Sequence, residues 1–114
     1  MFSCLFCKIV AKEIPVNLVL ENEHVVAFHD IKPVSPTHVL VIPKKHVVSV
    51  YDTSEADVPM LGEVLRGSRL VAEKLGLHDG GFRVVLNTGE AAGQSVFHLH
   101  AHVLAGRALA WPPG

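Results

Sequence analysis

The chain has 114 residues, 49% of them hydrophobic, with a mean hydropathy of +0.35, so it should close one compact domain around a real core rather than stay disordered. Ten basic against eleven acidic side chains leave a formal charge of −1, and without a basic run DNA and RNA are excluded as expected partners. Two cysteines are too few for a disulfide framework, which fits a reducing cytoplasm.

The opening stretch, MFSCLFCKIVAKE, lacks a basic start and a small-residue cleavage site and is broken by Lys8 and Lys12. Neither a signal peptide nor a membrane segment is expected, and the cytoplasm is the expected location. Within it, CLFCKIVAKE reads as a short helix that must stop before Pro15. NLVL and HVVAFHD are β-rich runs around the turn-like ENE, a hairpin across residues 17–30. HVLVIP, at 38–43, is a further strand ended by Pro43. Beyond Ser54, the residues Val58, Leu61, Leu65, Ser68, Ala72 and Leu75 step by three and four, which predicts one long helix with a single buried stripe, stopped by Gly76. Ser54 and Asp57 both qualify as its N-cap, with Pro59 in the first turn. FRVVLN at 82–87 and VFHLHAHVL at 96–104 are strands joined by TGEAAGQS. With no repeats or linker-like tracts, residues 1–114 form a single domain of α+β class: a mainly antiparallel sheet of about five strands, one long helix and a short N-terminal helix.

The string HLHAH places His98, His100 and His102 at every second position. A helix would scatter them, whereas a strand aligns them about 7 Å apart on one face, with Phe97, Leu99, Ala101 and Val103 packing on the other. One residue type three times over on a polar face points to chemistry: a metal site, or nucleophilic or acid-base work at neutral pH. The preceding loop, Gly89 to Ser95, is rich in small residues, so its backbone N–H groups can approach an anion and Ser95 is delivered to the same end as the histidines.

His98-Leu99-His100-Ala101-His102-Val103-Leu104 resembles the histidine triad signature, in which three histidines alternate with apolar residues. AFHDI at 27–31, PTHVLVIPKKH at 36–46, GQSVFHLHAHVLAGR at 93–107 and the terminal WPPG are similar to the Hint branch of that family, and the likeness runs from about Cys4 to Gly114. The resemblance implies the histidine triad fold and hydrolysis at the α-phosphorus of purine nucleoside 5′-phosphoramidates, possible also on aminoacyl adenylates, through a nucleotidyl-histidine. Carried over residue by residue, His100 is the nucleophile, His102 contacts the phosphate, Ser95 sits near the leaving group, and Gln94 with the loop amides holds non-bridging oxygens. His38 buttresses the triad, in which His98 is the first histidine. Asp30, otherwise a turn residue at a strand end, binds ribose; Phe6, Ile9, Phe28, His29 and Ile31 align with the base pocket; and Asn87, Gly93 and Val96 complete the nucleotide site. The nucleophile needs an acceptor for its other ring nitrogen, such as a backbone carbonyl, to fix the attacking tautomer.

The pair Cys4-x-x-Cys7 can mean zinc, redox chemistry or two small residues on a helix turn. Some bacterial relatives of this branch complete a structural zinc site with two histidines, here His46 and His98, while catalysis itself needs no cofactor. The resemblance also implies a homodimer pairing the long helix, at roughly residues 55–75, with the Ala110–Gly114 tail directed toward the partner's site. Two other functions compete: cleavage of dinucleoside polyphosphates, as in the Fhit branch, and a non-catalytic nucleotide- or zinc-binding module. The WPPG tail and the intact triad with Ser95 argue against them. A uridylyltransferase-type activity is disfavoured because that branch has Gln where this chain keeps His102.

Overall fold

The computed structural model describes residues 4–114. In chain order the elements are α1 (Leu5–Val10), β1 (Leu18–Glu21), β2 (Val25–His29), β3 (Thr37–Pro43), α2 (Val58–Leu75), β4 (Phe82–Val85) and β5 (Ala101–Ala105). The strands form one antiparallel sheet in the order β1-β2-β3-β5-β4. The first hairpin turns at Asn22, whose Oδ1 accepts the N–H groups of His24 at 2.8 Å and Val25 at 3.0 Å, local chemistry that favours a turn over continued strand. Strand alternation then sorts the side chains. Val25, Ala27, Val39, Val41, Ala101 and Val103 face α2 in one core, while Val26, Phe28, Leu40 and Ile42 meet Phe6 and Ile9 of α1 in a second core on the opposite face. The expected class and element inventory, a five-stranded antiparallel sheet with a long and a short helix, are those observed.

Ser54 and Asp57 divide the start of α2 between them. A 3-10 turn over Glu55–Asp57 precedes the helix; the Asp57 carboxylate accepts the Ser54 N–H at 2.9 Å and meets Lys45. At the other end Gly76 takes φ 67°, and its N–H closes on the last turn, so the stop read from the sequence is a left-handed cap. The buried stripe differs from the expected one. Val64, Gly67, Ser68, Val71 and Ala72 face the sheet, whereas Val58, Leu65 and Leu75 lie on the outer side, Leu65 at 55% exposure. The helix lies so close to the sheet that a Cβ on Gly67 would stand 3.0 Å from Val25 Cγ2 and 3.1 Å from Val41 Cγ1. Small residues thus mark the closest part of the packed face; of the large residues expected there, Leu61 packs against the core, and Val58, Leu65 and Leu75 do not.

Three boundaries also move. α1 ends at Val10, short of the expected Glu13, because Lys12 takes a positive φ of 64°. β4 stops at Val85. β5 begins only at Ala101, opposite Val41: the chain bends through 96–98, the Leu99 N–H goes to the Val47 carbonyl at 2.7 Å, and His98 and His100 both precede the ladder. Leu99, Ala101 and Val103 do enter the α2-side core, but Phe97 is 48% exposed.

Candidate active site

On the face of the sheet covered by α1, His38 and His102 are diagonal neighbours, since Leu40 is the cross-strand partner of His102. Their tautomers follow from the main chain. The Val34 N–H donates to His38 Nδ1 at 3.1 Å, so His38 carries its proton on Nε2 and donates it to His102 Nδ1 at 2.9 Å. His102 must then be protonated on Nε2, a buried donor that has no acceptor among the described residues. Such a group is costly unless a ligand supplies the acceptor. Asp30 Oδ2 stands 3.4 Å from His38 Nε2, and Asp30 Oδ1 accepts the Lys32 N–H at 2.8 Å. Asp30, His38 and His102 also have the composition of a metal triad, but the 2.9 Å separation of the two nitrogens is a hydrogen bond and is shorter than the edge of about 3.3 Å around tetrahedral zinc.

The next histidine is locked in the complementary sense. His100 Nδ1–H donates to the His98 carbonyl at 2.8 Å, which leaves Nε2 as the unprotonated nitrogen. Its ring lies 4.9 Å from that of His102, centroid to centroid. Burial pushes the pKa of His38, His98, His100 and His102 down, that of His102 to about 4, so all four are neutral at pH 7. A neutral nucleophilic imidazole and a neutral N–H donor therefore stand side by side.

A cleft of about 290 Å³ opens between α1 and the sheet. Its apolar lining includes Phe6, Ile9, Phe28 and Ile31, and its polar lining includes His29, Asp30 and Ser95. Phe6 joins the cleft to the histidines: its ring packs edge-on to Phe28 at 5.8 Å and to His100 at 5.1 Å. A mainly apolar slot with a few polar groups suits an aromatic ligand that carries a polar extension.

Behind the triad, Cys4, Cys7, His46 and His98 gather with one donor atom each, all within 4.8 Å of one another. Cys4 Sγ is 3.5 Å from His98 Nδ1, Cys7 Sγ is 3.3 Å from His46 Nδ1, and the two Nδ1 atoms are 3.1 Å apart. Tetrahedral zinc, with bonds of about 2.3 Å to sulfur and about 2.0 Å to nitrogen, requires edges of about 3.6 and about 3.3 Å. The donor set fits zinc in both chemistry and size. His98 is fully buried and its Nε2–H donates to the Pro43 carbonyl at 2.9 Å, so its Nδ1 is the free lone pair. Burial, together with the adjacent Cys4 thiol, pushes the half-buried Cys7 thiol up to about 11.

The HIT domain profile matches residues 11–109. The chain belongs to the HIT family. It is 46% identical to a 14 kDa zinc-binding protein of Zea mays over 96% of this chain and 87% of that one. Among solved structures, a HIT family hydrolase from Legionella pneumophila superposes with a TM-score of 0.95 at 44% identity, covering 98% of this chain and 100% of the other. A histidine triad nucleotide-binding protein from Candida albicans superposes with a TM-score of 0.82 at 31% identity, covering 96% and 83%.

Against this HIT frame, eight residues expected at the nucleotide site line the cleft, including Val96, and five do not: His100 and His102 stand beyond Phe6, and Asn87, Gly93 and Gln94 lie in or under the glycine loop. Asn87 lies under the glycine loop, its Nδ2 placed 3.5 Å from where a Cβ on Gly93 would sit, and Gly93 holds φ at 105°. Gln94 is buried: its Oε1 accepts the Gly89 N–H at 2.9 Å and its Nε2 donates to the carbonyls of Val48 at 2.7 Å and Val96 at 3.2 Å. With its amide so engaged, Gln94 shapes the loop from within and does not offer a side chain to a phosphate oxygen. Conversely, Leu5, Ile14, Pro15, Val16, Asn17 and Leu40 also line the cleft and were not foreseen. Leu40 had a signal, since it shares the face of His38 two residues along β3; the segment 14–17 had none beyond following the helix.

Proposed function

We propose that this HIT protein is a purine nucleoside phosphoramidase that works through a nucleotidyl-histidine on His100. The observation that carries the reading is the fixed tautomer of His100, with Nδ1–H held by the His98 carbonyl and Nε2 unprotonated beside the cleft. The base enters between Phe6, Ile9, Phe28 and Ile31, and the Asp30 carboxylate accepts from the ribose hydroxyls. His100 Nε2 attacks the α-phosphorus, the phosphorus–nitrogen bond breaks with its electron pair going to nitrogen, and the nitrogen takes a proton from solvent water and leaves as the amine. His102 Nε2–H, the buried donor without a protein acceptor, serves a phosphate oxygen as charge shifts in the transition state. Water then attacks the phosphorus, the bond from phosphorus to His100 Nε2 breaks, the proton of the water goes to solvent, and neutral His100 and the nucleoside monophosphate are released.

Cys4, Cys7, His46 and His98 hold a structural zinc in this reading, supported by their fit to a tetrahedral donor set and by the zinc-binding name of the maize relative. Zinc in such a closed site contributes folding energy and leaves the reacting groups to the protein. The outer apolar residues of α2, Val58 and Leu65, favour pairing with a second copy, and the chain acts in the cytoplasm on small molecules. The test is a panel of adenosine and guanosine phosphoramidates, aminoacyl adenylates and diadenosine polyphosphates compared by kcat/KM. Highest values for phosphoramidates support the proposal. Preference for the polyphosphates would move the chain to a different branch chemistry, and nucleotide binding without turnover would make it a binding module.

A further inference from the structure

His98 is attached at three points. Its Nδ1 belongs to the Cys4–Cys7–His46 cluster, its Nε2–H donates to Pro43, and its carbonyl accepts Nδ1–H of His100 at 2.8 Å. The cluster is therefore one residue removed from the nitrogen that decides which lone pair His100 presents. A second route runs through α1. Cys4 caps that helix, its Sγ accepting the Cys7 N–H at 3.3 Å, and between the two cysteines Phe6 places its ring edge-on against His100 at 5.1 Å and against His98 at 5.8 Å. Two of the three contacts that confine the His100 ring thus begin on residues tied to the cluster, the third being the His102 ring at 4.9 Å. Ligation at such a set also fixes ring orientation, and the neighbouring hydrogen-bond partners inherit that order.

We propose that the Cys4–Cys7–His46–His98 set is a positioning device for the nucleophile: closed on a divalent metal, it fixes the His98 carbonyl and the Phe6 ring, and so holds His100 in the tautomer that presents Nε2. The proposal rests on the assignment of His100 as nucleophile, and its first readout does not depend on turnover. When the set opens, His98 keeps its Pro43 contact but loses the anchor at Nδ1, α1 loses its cysteine link to His46 and His98 and keeps only its packing through Phe6 and Ile9, and the Nδ1–H bond of His100 competes with the alternative tautomer. Cys4, Cys7 and His46 act through His98 and Phe6; they touch no substrate.

The experiment uses the whole chain labelled with ¹⁵N-histidine, loaded with zinc and then stripped with chelator, with His46→Asn as a second form that keeps three donors should the stripped protein unfold. Ring ¹⁵N shifts report the tautomer of His100 directly. The zinc-loaded protein is expected to show one species protonated at Nδ1, and the stripped protein or His46→Asn a mixture of both tautomers, restored in the stripped protein by added zinc. In parallel, the single-turnover rate of nucleotide transfer to His100 is expected to fall about tenfold or more while the dissociation constant for adenosine monophosphate changes by less than about threefold. A folded metal-free protein or His46→Asn form that retains the single Nδ1–H tautomer overturns the proposal, as does an equal loss of nucleotide affinity and transfer rate. Absence of transfer in the zinc-loaded protein, with the tautomer change still seen, would instead count against the phosphoramidase reading and leave the positioning role standing.

Discussion

Replacing Gln94 with Ala separates a loop brace from a phosphate ligand. The side chain is 3% exposed and joins three main-chain groups, the Gly89 N–H and the carbonyls of Val48 and Val96, at 2.7 to 3.2 Å. Each such bond contributes about 1 kcal/mol net, and truncation leaves the main-chain partners dependent on whatever water can enter, so a loss of about 2 to 3 kcal/mol is expected. For a domain of this size, with an unfolding entropy of about 0.24 kcal/mol/K, that corresponds to a Tm lower by about 8 to 12 °C. Scanning calorimetry gives the Tm, and titration with adenosine monophosphate gives the affinity. Because the loop frames Ser95, kcat should fall with stability, and the affinity change should be the smaller effect. An unchanged Tm with affinity weakened tenfold or more would refute the reasoning and return Gln94 to the phosphate.

Burial holds His102 neutral down to about 4, whereas in the unfolded chain it titrates near 6.5, so its contribution to stability is complete above about pH 6.5 and is lost as the pH falls toward 4. Denaturant unfolding at pH 7 and pH 4.5 should show the wild type losing about 2 kcal/mol more than His102→Gln over that interval; parallel losses would contradict it. Elemental analysis of protein purified without added metal should find close to one zinc per chain, and Cys4→Ser should lower both zinc content and Tm, since Cys4 supplies a donor and the α1 cap. Gly67→Val should destabilise by about 1 to 3 kcal/mol in chemical denaturation, because even its Cβ would stand 3.0 Å from Val25 and 3.1 Å from Val41.

The sequence carries the fold where local chemistry and side-chain period agree. Asn22, Pro43 and Gly76 mark a turn, a strand end and a helix stop that the structure realises at those positions. It misleads where tertiary contact overrides size, as on α2, whose packed face is drawn by Gly67, Ser68 and Ala72 while Leu65 turns outward. The alternating histidines correctly separate Leu99, Ala101 and Val103 from the triad, but the period cannot reveal that the ladder starts at Ala101, because that depends on the Leu99 N–H being taken by the distant Val47 carbonyl. The gathering of Cys4, Cys7, His46 and His98 spans most of the chain, so no local pattern produces it; residues matched to a family motif did. The engagement of Gln94 by Val48 and Val96, like the cleft wall from Ile14 to Asn17, appears only once the loops are folded against each other.

The central claim is that His100 Nε2 is the atom that takes the nucleotide. Its most direct test is acid-quenched or rapid-mix trapping with an adenosine phosphoramidate, followed by digestion and mass spectrometry of the peptide that carries the triad. The account predicts an adenylyl group on His100, formed and lost at the rate of turnover and absent from His100→Gly, which should still bind the monophosphate. An adenylyl group on another residue, or full turnover by His100→Gly, would contradict it.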